Sequence, residues 1–99
     1  MDAKLPGADW DSGEITATTT GPARKIRAYN MHGYQVYGTS PVGTFSLEVS
    51  INGEDWTELS THSVTAAGMV YFDCWVFTYV RWKWTKSSGT AEISETHSG

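Results

Sequence analysis

Apolar and polar residues alternate with period two along much of the chain, and no window carries an apolar stripe recurring at i, i+3, i+4 and i+7. The clearest alternation spans 44–51, where Phe45, Leu47, Val49 and Ile51 share one side and Ser46, Glu48 and Ser50 the other. That is the pattern of a half-buried strand. Asn52-Gly53 follows at once, a dipeptide suited to the positive φ angles of a tight hairpin turn. The chain then returns through Trp56, Thr57 and Leu59, with Ser50 placed to bond the turn backbone and Trp56 to fold onto the hairpin's apolar face. Further strands are predicted over 14–20, 24–30, 34–37, 69–72, 75–85 and 90–94, with turn signals at Gly21-Pro22, Gly33, Gly38, Pro41 with Gly43, Gly68 and Ser88-Gly89. Thirteen Thr, seven Val and four Ile against three Leu agree with strands. Seven or eight short strands predict an all-β fold, a small antiparallel β-sandwich or jelly-roll-like barrel.

The domain is placed at 14–95, behind an extended N-terminal arm at 1–13 and ahead of a short C-terminal tail at 96–99. Pro6, Gly7 and Gly13 break any alternation in the arm, and Trp10 is its one large anchor. Such an arm either docks on a neighbour or frays, as chain ends commonly do.

The stretch 75–85 carries more aromatic surface than one buried face requires. Read as a single strand, it sets Val76, Thr78, Val80, Trp82 and Trp84 on one side and Trp75, Phe77, Tyr79, Arg81, Lys83 and Thr85 on the other. Trp10, Trp75, Phe77, Tyr79 and Arg81 are therefore candidates for a protein interface, since aromatic rings and Arg are enriched at interface cores. The alternative is that both sheets of a small sandwich consume these rings.

Composition narrows the partners. The 99 residues include five Trp, five Tyr and three Phe but only 18% charged residues, and 7 Lys+Arg against 11 Asp+Glu give a net charge of −4. An acidic chain is a poor match for phosphate backbones, and the local basic cluster Arg24, Lys25 and Arg27 is read as a solvated strand face, so no nucleic-acid partner is expected. The apolar runs 69–72 and 74–77 are far shorter than the roughly 20 residues of a membrane span, and the start lacks a signal-peptide core. No membrane partner is expected either.

Candidate chemistry is sparse. Cys74 is the single cysteine, flanked by Phe72, Trp75 and Phe77, and is expected to be a buried, inert thiol compatible with a reducing compartment. His32, His62 and His97 have no neighbours at metal-ligand spacing, so neither a metal nor any other cofactor is predicted. No G-x-S-x-G motif accompanies them, and no catalytic residue is assigned. Asn52, Glu54 and Asp55 offer oxygens to a cation, but their spacing differs from an EF-hand loop and the turn itself accounts for them.

The segment S-I-N-G-E-D-W-T resembles the S-x-D-G-x-x-W-T hairpin of discoidin-like sandwiches, and also looks like the Asp-box turn of sialidase propellers. Over about residues 34–94, the pattern G-T-S-P-V-G-T-F-S-L-E-V-S-I-N-G-E-D-W-T-E-L, followed by Y-V-R-W-K-W-T-K-S-S-G-T-A-E-I, is similar to small proteins of tailed bacteriophages. The departures are Asn52 where Asp is usual and the indoles of Trp82 and Trp84 where smaller side chains are common. The resemblance implies a non-enzymatic virion component, with Ser50, Asn52, Gly53 and Trp56 as a structural hairpin. The role expected is a capsid decoration (cement) protein that self-associates, a trimer being favoured, and binds the major capsid or other virion proteins. Its place would be the virion, assembled in the host cytoplasm. The alternative is a tail or neck component, or a carbohydrate-binding module of an adsorption apparatus whose partner is a glycan.

Overall fold

The computed structural model describes residues 10–26, 29–75 and 77–98, so the first nine residues of the arm, together with Arg27, Ala28, Val76 and Gly99, lie outside the described residues. Nine strands are present among them: β1 (Trp10–Asp11), β2 (Thr19–Thr20), β3 (Arg24–Lys25), β4 (Met31–Tyr37), β5 (Val42–Ser50), β6 (Thr57–Val64), β7 (Met69–Cys74), β8 (Tyr79–Ser88) and β9 (Glu92–Ser98). They form two antiparallel sheets, one ordered β1-β9-β4-β7 and the other β2-β8-β5-β6, with β3 also pairing to β8. This is the predicted small β-sandwich.

The core follows from strand alternation. β5 contributes Phe45, Leu47 and Val49 and β8 contributes Val80, Trp82 and Trp84, all buried, while Tyr34, Val36 and Ile93 approach from the other sheet. In register, Phe45 lies opposite Trp84, Leu47 opposite Trp82 and Val49 opposite Val80, so the apolar faces of the two central strands coincide. The indole of Trp82 needs room that only glycine leaves: a Cβ on Gly21 would stand 2.3 Å from its Cε2.

Several boundaries differ from the sequence reading, each for a physical reason. Ile51 is 74% exposed and does not join Phe45, Leu47 and Val49, because β5 ends at Ser50 and the turn begins there. The predicted strand over 75–85 keeps only its later part: β7 ends at Cys74 in one sheet, and β8 starts at Tyr79 in the other. The intervening crossover resets the alternation. Trp75 and Phe77 pack against the core there, with Trp75 N–H donating to the Asn30 carbonyl at 3.1 Å. Cys74 is exposed rather than buried, since the phase of β7 sends Val70, Phe72 and Cys74 to the outer face and Tyr71 inward. The strands predicted over 14–20 and 24–30 shrink to β2, β3 and an isolated bridge between Ile15 and Ala91. Finally, β9 runs through residues 96–98, the larger part of the expected tail, because His97 continues the inward series begun by Ile93 and Glu95.

Trp84 is fully buried at the centre of this core. Trp84→Ala is expected to lower the unfolding free energy by about 3–5 kcal/mol, measured by denaturant titration of the purified chain.

Candidate functional site

At one side of the sandwich the core is not apolar. β4 sends His32 inward and β9 sends Glu95 and His97; His32 and His97 are fully buried and Glu95 nearly so. Their side chains join end to end. Glu95 Oε2 lies 2.7 Å from His97 Nε2, His97 Nδ1 lies 2.7 Å from His32 Nδ1, and His32 Nε2 lies 3.0 Å from the carbonyl oxygen of Trp75. From the other sheet, Arg24 on β3 reaches Glu95 Oε1 with its Nε at 3.3 Å. One row of polar groups therefore links both sheets and the crossover.

Aromatic rings seal it. Trp75 stacks on His32 at 3.7 Å between ring centroids, and Trp10 on β1 tilts over His97 at 5.7 Å while its ring carries the Arg24 guanidinium at 4.4 Å. Tyr34 meets His97 edge-on. Burial pushes the Tyr34 phenol well above its ordinary range, the negative charge of Glu95 adds to this, and Arg24 opposes it. Outside the seal, Asp11 is held below the usual carboxylate range, chiefly by the Gly13 amide, and its hydrogen bond to Glu92 raises that neighbour.

A cleft of about 470 Å³ opens along this side, walled by Trp10, Ile15, Trp82 and Ile93 with Arg24 and Glu95 at its floor. An imidazole beside a carboxylate is the usual beginning of a general base. Here both rings are shut away from solvent, and their outer nitrogens are taken by Glu95 and by a backbone carbonyl. The 2.7 Å between the two Nδ1 atoms is the length of a hydrogen bond. Among the described residues no group of three or more His, Cys, Asp or Glu side chains is arranged to hold a metal ion.

The five interface candidates separate. Trp10 and Trp75 flank the buried histidines, and Phe77 sits 5.5 Å from Trp75 against the core. Tyr79 lies on the outer face of β8, where its ring would meet a Cβ on Gly53 at 3.2 Å. Arg81, also outward, pairs with Glu48 at 2.6 Å and places its guanidinium 4.2 Å from the Trp56 ring. Trp56 thus covers the outer face of the sheet rather than the apolar face of the hairpin, because Arg81 and Glu48 stand beside it there. The rest of the hairpin is as read: Gly53 has φ +80° and donates its N–H to Ser50 Oγ, Ser50 donates to Asn52 Oδ1, and that oxygen accepts from Glu54 and Asp55 N–H.

Sequence reasoning missed the polar row and a second surface. Strands predicted over 34–37 and 90–94 leave out His32, Glu95 and His97, yet all three are in phase with the buried residues of β4 and β9. On the outer face of β4 and β7, Val70 and Phe72 are each 63% exposed, and Met31 and Tyr37 each 41%. Val70 and Phe72 lie on β7, an edge strand of its sheet, and Met31 and Tyr37 stand at the two ends of the adjacent strand β4.

No family model matches the chain, and no curated protein matches it by sequence. Solved structures do share its fold. The SPBc2 prophage-derived protein YomS is similar at a TM-score of 0.71 and 11% identity, over 98% of both chains. The PBSX exported protein XepA is similar at 0.66 and 18% identity, over 100% of this chain, which spans 40% of that one. CpGH89CBM32-5 from Clostridium perfringens, solved in complex with GalNAc-β-1,3-galactose, is similar at 0.53 and 14% identity, over 91% of this chain and 76% of its own.

Two tests follow from this geometry. Asn52→Ala removes the acceptor shared by Glu54 and Asp55 and is expected to cost about 1–2 kcal/mol by denaturant titration. With its pKa raised on folding, Tyr34 contributes stability that is complete below the unfolded tyrosine pKa of about 10 and is lost as the pH climbs toward the folded value. In an ultraviolet titration, phenolate absorbance from Tyr34 should therefore be missing until the chain unfolds, and Tyr34→Phe should leave the native-state titration curve unchanged.

Proposed function

We propose that this chain is a non-enzymatic bacteriophage virion structural protein, acting as a capsid decoration protein that self-associates, favouring a trimer, and binds capsid proteins on the particle surface. The observation that carries the reading is the exposed apolar pair Val70 and Phe72 on the edge strand β7, with Met31 and Tyr37 exposed on the neighbouring strand β4. The full-length likeness to a prophage-derived protein supports it. Exposed apolar surface of this kind marks interaction sites, and burying it stabilises by roughly 25 cal/mol per Å² before ordering costs are subtracted. Binding that favours the assembled shell then makes the particle harder to disrupt. Its location in this reading is the virion, assembled in the host cytoplasm.

These residues replace most of the first interface candidates, because Trp10, Trp75 and Phe77 already pack within the fold. Tyr79 and Arg81 stay on the opposite sheet's outer face as secondary contacts. The second reading is a sugar-binding module of a tail or neck component, supported by the likeness to CpGH89CBM32-5 with its bound disaccharide.

Size-exclusion chromatography with light scattering over a concentration series is expected to give an oligomer, and Phe72→Asp a monomer with unchanged circular dichroism. A wild-type chain that stays monomeric, does not co-sediment with capsids and changes its Trp fluorescence on titration with a glycan panel would replace the decoration reading with the sugar-binding one.

A further inference from the structure

We infer that the Glu95–His97–His32 row is a proton-loaded clasp whose three hydrogen bonds together require three protons, so that the fold is most stable near neutral pH and loosens on either side. The count is set by the atoms at each junction. The Trp75 carbonyl only accepts, so His32 Nε2 must carry a proton. Two imidazole nitrogens face each other at Nδ1, so one proton must lie between them. The junction of Glu95 and His97 Nε2 needs a third, on either the carboxyl oxygen or the ring.

Three protons on two imidazoles and one carboxyl make an electrically neutral set, whichever atoms hold them. Neutrality suits its burial, and Arg24 on Glu95 supplies the remaining charge at the solvent edge. The groups facing the row include Arg24 from β3, the Tyr34 phenol from β4, the Trp10 ring from β1 and the Trp75 ring from the crossover. On β7, Asp73 lies opposite His32 in the strand register.

The unfolded chain holds a different number. With histidine titrating near 6.5 and glutamate near 4.3, these three residues carry about two protons well above pH 6.5 and about four between pH 4.3 and 6.5. Folding therefore takes up one proton on the alkaline side and releases one on the acid side. The unfolding constant should rise toward tenfold per pH unit in each direction away from about 6.5, until the folded row itself gains or loses a proton. What the clasp holds is local: β1 through Trp10, β3 through Arg24 and the crossover through Trp75.

The test is denaturant unfolding of the full chain across pH 5 to 9, with Glu95→Gln as the variant. Its amide donates to His97 Nε2 without a titrating proton, so the variant should be less stable throughout, and its unfolding constant should stay level from pH 7 to 9 where the wild type rises. A level wild-type curve over that range would overturn the inference. Long-range ¹⁵N and carboxyl ¹³C spectra of the folded wild type at pH 7.5 provide a reading that needs no variant. Three protonated ring nitrogens, or two with a protonated Glu95 carboxyl, support the clasp, whereas two with an ionised carboxylate refute it.

Discussion

Everything in this sandwich is arranged around the pairing of β5 with β8. Phe45, Leu47 and Val49 stand opposite Trp84, Trp82 and Val80, so two neighbouring strands place six large side chains on one face. No small sheet leaves such a face in water; the second sheet is the surface that covers it. The bulk of the two indoles also sets local backbone choices, as at Gly21, where the chain passes too close to Trp82 to carry a Cβ. The aromatic excess of the sequence is thus largely a packing requirement, and what is left for recognition lies elsewhere.

The price of covering two wide sheets with so short a chain is visible at the margin beside β1. Apolar residues run out there, and the gap is filled by Arg24, Glu95, His97 and His32, bonded in series and capped by Trp10 and Trp75. Polar groups buried this way are costly unless every member has a partner, and the row ends on a backbone carbonyl that provides the last one. Through the Arg24–Glu95 pair it also ties β3 of one sheet to β9 of the other. Both of its imidazoles are shut away from solvent, whereas the outer face of β4 and β7 leaves Val70 and Phe72 exposed.

Periodicity revealed what repeats and concealed what interrupts. β5, the inner face of β8 and the Ser50–Asn52–Gly53 turn are visible in the sequence because each rests on interactions between near neighbours. The crossover over 75–78 is not, since aromatic residues continue without a break in composition and only the change of sheet ends the strand. Cys74 shows the same limit: its apolar neighbours suggest burial, while the strand phase turns it outward. His32, Glu95 and His97 look like solvent-facing residues when judged by polarity alone. The strand phase points them inward, but the bond that joins His32 to His97 spans 65 positions in the chain and is encoded by no local pattern.

The register of β1 has one more consequence. Trp10 lies opposite Glu95 and Asp11 opposite Ser94 on adjacent antiparallel strands, so the chain enters the fold beside the place where β9 leaves it. Trp10 and the end of β9 thus share one side of their sheet, across it from the exposed side chains of β7.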